Sequence, residues 1–277
     1  MRPVMTLSET RQLRWDWTPV IQSALLCAFA FNLIFFIQEL FLVVPKALTP
    51  GLRPTLFHNN HHWTGENPLA RLFQGTGALA TLITAAACAF WLRHRRPRSA
   101  TMRLFVIWTI FHGSFEALPQ FVIGAFLPQN DVGMALEYLR LSQGVKWVVA
   151  SVAVVAMVLI GRALARMFLE LDAAYTEQLA TPGGRSRAMV GIATLPALIA
   201  LILIVPFRVP GTADQVYLAP VIMVTVGILC LQGTAGFAAN VRPDGALPLR
   251  WTLWPLAALL VQLAVFQLIL RRGIDFF

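Results

Sequence analysis

Acidic residues are scarce in this chain: thirteen Asp and Glu stand among 277 residues, against 22 Lys and Arg. Charged residues of both signs make up only 13 percent, while 57 percent are hydrophobic and the mean hydropathy is +0.68. A water-soluble domain of this size cannot bury so much apolar surface, so a soluble globular fold is excluded. Cysteine is also sparse. Cys27, Cys88 and Cys230 each fall inside an apolar run, where a thiol behaves as a small hydrophobe, and no disulfide framework is indicated. Lysine occurs only at Lys46 and Lys146. The arginines are scattered through the connections between apolar runs, so the net charge of +9 is not gathered on one face and no nucleic-acid partner is expected.

The apolar runs themselves define the class. Seven segments, roughly 18–43, 72–92, 103–127, 146–168, 188–207, 216–239 and 251–270, are each near the length needed to cross about 30 Å of hydrocarbon. The expected fold is all-α, a polytopic integral membrane helix bundle forming one transmembrane domain over residues 1–277, with the lipid bilayer as its first partner. Residues 1–17 form a polar N-terminal segment, 45–71 a loop between the first two spans, and 169–187 a linker broken at Thr181-Pro182-Gly183-Gly184. The first apolar run is too long for a signal-peptide core and lacks a small-residue cleavage site, so it is expected to be retained. Counting basic residues puts 14 on the N-terminal side of the bundle and 8 on the other. The excess predicts a cytoplasmic N-terminus in a bacterial inner membrane, with the 45–71 loop and the C-terminus outside.

That loop carries the densest chemistry. Phe57-His58-Asn59-Asn60-His61-His62-Trp63 holds three of the five histidines. If Pro54 opens a short helix and Gly65 closes it, His58, His61 and His62 fall at i, i+3 and i+4 on one face; a loop presents them equally well. Neutral imidazole is a common ligand for zinc and iron, so the cluster is a candidate grip for one divalent metal, zinc ahead of iron. The competing reading is a polar cap at the headgroup level with Trp63 as an interfacial anchor. The H-x-x-H-H spacing resembles one histidine box of the membrane-bound di-iron desaturases and hydroxylases. Those enzymes use several boxes, and this chain offers beyond the cluster only His94 and His112, so the resemblance extends to metal affinity and not to di-iron chemistry.

Ionisable residues within spans are costly in hydrocarbon and mark candidate sites. The first span carries Asn32, Gln38 and Glu39; the third carries His112, Glu116 and Gln120 at i, i+4 and i+8, with Pro119 inside the stripe and expected to kink it. Together these suggest a polar pocket with His58, His61 and His62 as lid, Asp131 at the rim, Glu39 below, and Glu116 with His112 at the floor. Each has a plain alternative in snorkelling, helix-to-helix pairing or turn chemistry. Gln74-Gly75-Thr76-Gly77, Gly233 and Gly236 read as close-packing positions, and Gln262 and Gln267 as hydrogen-bonding groups of the last span. Asn240–Gly245 looks faintly like the Asp-bearing turn of site-2 intramembrane metalloproteases, but no H-E-x-x-H accompanies it, and a plain turn at Pro243-Asp244-Gly245 accounts for it.

Three functional readings follow. In the first, a metal-dependent hydrolase acts on a membrane-embedded or small-molecule substrate, with His58, His61, His62, His112 and Asp131 as ligands and Glu116 or Glu39 as general base. In the second, Glu39, His112 and Glu116 carry protons or cations through a transporter. The third is a structural membrane protein without a site. The in-span prolines Pro119, Pro196, Pro220 and Pro255 show no pairing between halves and no inverted repeat is evident, which leans toward the enzyme.

Overall fold

The computed structural model describes residues 17–95, 97, 99–171, 178–238, 241, 249 and 251–277. Residues 1–16, the middle of the 169–187 linker and the Asp244 turn lie outside these. Among the described residues seven long helices form the bundle: α1 (Trp17–Ala47), α2 (Leu69–His94), α3 (Ala100–Phe126), α5 (Gln143–Leu169), α6 (Pro182–Arg208), α7 (Asp214–Ala235) and α8 (Trp254–Arg272). A short helix, α4 (Asp131–Tyr138), follows α3 at a bend of 58°. Six of the seven are long and apolar enough to cross a membrane alone; α3 meets that measure jointly with α4. Its polar stripe is what lowers its hydropathy.

The two helices that bear the in-span polar residues lie at the centre. α1 carries apolar residues around its whole circumference, broken by the buried Gln22, Ser23, Asn32, Gln38, Glu39 and Lys46, and 72 percent of its most apolar window is buried, against 22 percent for α8. An all-round apolar surface suits a helix enclosed by others, whereas Val152, Leu159, Val261 and Leu268 on α5 and α8 remain exposed, as lipid-facing residues do. Small residues allow close approach. A Cβ on Gly77 would lie 2.8 Å from Gln38 Cγ and Leu42 Cγ of α1, and one on Gly113 would lie 2.6 Å from the Thr81 carbonyl oxygen of α2. The expectation for Gly233 is not met, because its Cβ position faces open space; Gly227, one helix face away, is where the Phe111 ring presses on α7.

Polar contacts fix the centre as well. Trp108 Nε1 donates to Ser23 Oγ at 3.0 Å, and Ser23 Oγ donates to the Ile192 carbonyl at 2.8 Å, inside a π-helical turn of α6. Thr181 does not break a helix but starts one. Its hydroxyl accepts from Gly184 N at 3.0 Å with Pro182 in the first turn, so α6 begins six residues earlier than the hydropathy suggested. α3 runs through Pro119 without ending.

The loop after α1 is neither a helix nor irregular. β1 (Arg53–Leu56) and β2 (His61–Thr64) form an antiparallel hairpin around a turn at 57–60, with Leu56 opposite His61 and Thr55 opposite His62. Gly65, at φ +103°, sits so close to the Gly51 carbonyl that no side chain fits there, closing the base of the hairpin. The helical option for Pro54–Gly65 is thereby corrected. Six long helices separate this hairpin from the C-terminus, an even number, so both lie at one end of the bundle. There β3 (Ile274–Asp275) pairs with β1, and Thr55 Oγ1 donates to Asp275 Oδ1 at 2.6 Å.

Candidate functional site at the hairpin end

A cavity of about 480 Å³ opens at the hairpin end, between the hairpin and the ends of α1, α3, α6 and α7. The hairpin contributes Asn59, Asn60, His61 and Trp63 to its wall, and α1 contributes Phe35, Gln38 and Glu39. Gln74, Gln120, Asn130, Asp131, Arg208, Asp214 and Gln215 complete the polar lining. Its apolar lining includes Ile123 of α3 and Leu218, Ala219, Ile222 and Met223 of α7.

The alternation of side chains along β2 decides which histidine enters. Successive strand residues point to opposite faces, so His61 and Trp63 turn inward while His62 turns out and is exposed. His61 Nδ1–H donates to Glu39 Oε2 at 2.8 Å. Its other nitrogen, Nε2, lies 3.3 Å from Lys46 Nζ and 3.0 Å from Gln74 Oε1. Lys46 is fully buried, donates to the Leu42 carbonyl at 2.7 Å and to Gln74 Oε1 at 3.0 Å, and sits 4.7 Å over the Trp63 ring. Asp131 stands near enough to Glu39, His61 and Lys46 to feel all three charges. His61 and two carboxylates, Glu39 and Asp131, therefore share one wall, with the Lys46 ammonium buried behind it.

His58 is elsewhere. It occupies the 57–60 turn, buried, with neither ring nitrogen hydrogen-bonded. Burial pushes its pKa down, reinforced by the charges of Arg271 and Arg208 and opposed by the Pro210 and Val209 backbone, which lies near the ring but outside good hydrogen-bonding geometry. The adjacent Asn59 ties the turn to the bundle, donating through Nδ2 to the Arg208 carbonyl at 3.1 Å and the Pro210 carbonyl at 2.8 Å.

His112 does not reach the cavity either. It is enclosed by Phe31, Trp108 and Phe111, with Cys27 Sγ 3.3 Å from its Nε2. It makes no pair with Glu116, whose two carboxyl oxygens are buried with no hydrogen-bond partner. Glu116 lies one helical turn below Gln120, which donates through Nε2 both to the Glu116 carbonyl at 2.8 Å and to Gln38 Oε1 at 2.9 Å on the cavity floor. Of the expected pocket, His61, Asp131 and Glu39 are brought together and Glu116 stands beneath them. His58, His62 and His112 are not part of it. Among the described residues no group of three or more His, Cys, Asp or Glu side chains comes together to hold a metal ion. The one inward imidazole has an ammonium at its second nitrogen, which is a poor place for a second cation.

Three contributors escaped the sequence reading. Lys46 counted only as a loop cation, Gln74 as a packing residue, and Arg208 as the lone basic residue between two spans. Arg208 is 3 percent exposed at the end of α6. Its guanidinium carbon is 3.7 Å from the Phe35 ring centre, Nε donates to the Gln215 carbonyl at 3.2 Å, and Nη1 is buried without a partner. Glu116 and Glu39 are its electrostatic neighbours, but among the described residues no carboxylate lies within ion-pair distance of it. No protein-family model, curated protein or solved structure matches this chain.

Proposed function

We propose that the protein is a proton-coupled transporter whose proton-carrying groups are Glu39 and His61 at the cavity wall and Glu116 beneath its floor. The observation that carries this reading is the hydrogen-bonding of His61. With Nδ1–H given to Glu39, a neutral ring leaves Nε2 an acceptor, which suits Lys46 but opposes Gln74 Oε1. The Gln74 amide is held in that orientation because Lys46 donates to the same oxygen. A second proton on the ring reverses the pattern, satisfying Gln74 and repelling Lys46. Either protonation state thus has a partner in place, and each displaces a different neighbour. Glu116, with both oxygens unpartnered at 1 percent exposure, gives a proton a further station one layer deeper.

The test is proton flux into proteoliposomes enclosing a pH-sensitive dye, driven by a potassium diffusion potential. Wild-type protein is expected to exceed protein-free vesicles, with the excess lost in Glu39→Gln and Glu116→Gln. Flux equal to that of empty vesicles removes the reading. The zinc-dependent hydrolase competes with it through one fact, the shared position of Glu39, His61 and Asp131 on the cavity wall. Elemental analysis separates the two: about one zinc per chain, lost in His61→Ala, favours the hydrolase.

A further inference from the structure

Among the described residues, Arg208 is a buried cation on the cavity wall with no carboxylate at ion-pair distance, Glu116 and Glu39 acting on it only from farther off. A buried guanidinium is retained where its fork meets a planar oxyanion; Arg208 lines the cavity, and its buried Nη1 has no acceptor among the described residues. The rest of the guanidinium is already fixed, by the Gln215 carbonyl and by stacking on Phe35, so the free edge is pre-oriented. Glu39, Asp131 and Asp214 also line the cavity, which opposes a dianion and favours a ligand with a single negative charge.

The opposite wall indicates what that charge is attached to. Ile123, Leu218, Ile222 and Met223 line the cavity, and Leu218 and Ile222 are 55 and 38 percent exposed. Both belong to a helix apolar enough to span the membrane, so the cavity has an edge facing the lipid between α3 and α7. The π-helical first turn of α7, Asp214–Leu218, sets Gln215 and Leu218 toward the cavity together. An enclosure of about 480 Å³ suits one amphiphile of modest size.

We propose that the cavity binds an aliphatic carboxylate from the bilayer, its head group on Arg208 and its chain between α3 and α7. This deepens the transporter reading and rests on it for the sense of transport: with protons moving in excess of the single carboxylate charge, the cycle carries net positive charge and follows the membrane potential. Binding itself does not depend on that reading, so the two are tested apart.

The experiment is equilibrium binding of radiolabelled dodecanoate to detergent-solubilised protein by scintillation proximity, with unlabelled dodecanol, acetate and inorganic phosphate as competitors. Saturable binding is expected, with weak competition from all three. Arg208→Gln should weaken it about tenfold to a hundredfold, the range for loss of a charge-assisted hydrogen bond, with Arg208→Lys between. Ile222→Trp, which fills the lipid-side edge without touching the polar wall, should weaken binding while the protein stays monodisperse and thermally intact; it covers the case in which Arg208→Gln fails to fold. Absence of saturable binding to the wild type, or affinity unchanged in Ile222→Trp, overturns the proposal. Equal competition by acetate or phosphate overturns the bilayer source and assigns the site to a free oxyanion. Dodecanoate binding without proton flux would retain this proposal and remove the transporter.

Discussion

His61 Nδ1–H donates to Glu39 Oε2 at 2.8 Å, joining a strand of the hairpin to the helix that precedes it. That bond is a polar tie between β2 and α1, beside the approach of His61 Nε2 to Lys46 Nζ at 3.3 Å.

Glu39→Ala leaves the His61 Nδ1–H without its acceptor in a nearly enclosed ring. An unsatisfied buried donor costs about 1–3 kcal/mol. The expected outcome is faster amide exchange across Arg53–Leu56 and His61–Thr64, with exchange in α5 unchanged. Equal protection of the hairpin in variant and wild type contradicts this tie.

Lys46 acts as a hub for three acceptors, Leu42 O, Gln74 Oε1 and His61 Nε2. Lys46→Met keeps much of the volume and removes every donor. Thermal unfolding in detergent should shift down, by an amount corresponding to about 1–3 kcal/mol, because buried polar atoms are left unpaired. A midpoint at or above wild type shows the ammonium to be dispensable for the fold.

Two glycines in long helices should respond oppositely. Gly113→Ala places a methyl 2.6 Å from the Thr81 carbonyl oxygen, a backbone atom that cannot yield alone, and should destabilise by about 1–3 kcal/mol. Gly233→Ala meets nothing within 4 Å and should be neutral or stabilising by about 0.4–1 kcal/mol. Thermal melts of the two variants side by side check the α2–α3 packing.

His58 supplies a pH dependence with a definite sign. Burial lowers its folded-state pKa below the unfolded value, so between the two the unfolded chain binds a proton that the folded one does not. Its contribution is complete above the unfolded pKa of about 6.5 and is lost as pH falls through the lowered folded value. The thermal midpoint of wild type should therefore drop more steeply on acidification than that of His58→Gln. Parallel pH profiles would show that His58 does not contribute to acid sensitivity.

The histidine segment illustrates where sequence reasoning stopped. Imidazoles at i, i+3 and i+4 share a face only if the backbone is helical. In the hairpin the same spacing puts His61 inward, His62 outward and His58 in the turn. The deciding contacts are long-range: Asn59 bonded to the carbonyls of Arg208 and Pro210, and β3 returning from the C-terminus to pair with β1. No local pattern encodes either.

What the sequence by itself determined is the class and the count: apolar runs of membrane length specify a bundle of seven long helices, because hydrocarbon tolerates backbone only when its hydrogen bonds close within the segment. It also singled out Glu39, His61, Asp131 and Glu116, since ionisable groups stand out against an apolar background. The tertiary structure alone decided that Gln74 and Arg208 share their cavity, that Lys46 is buried behind it against His61 and Gln74, and that His112 belongs to an aromatic core. A lysine or arginine at a helix end has the same sequence signature whether it reaches toward headgroups or folds inward. Only the packing of the neighbouring helices fixes which of the two occurs.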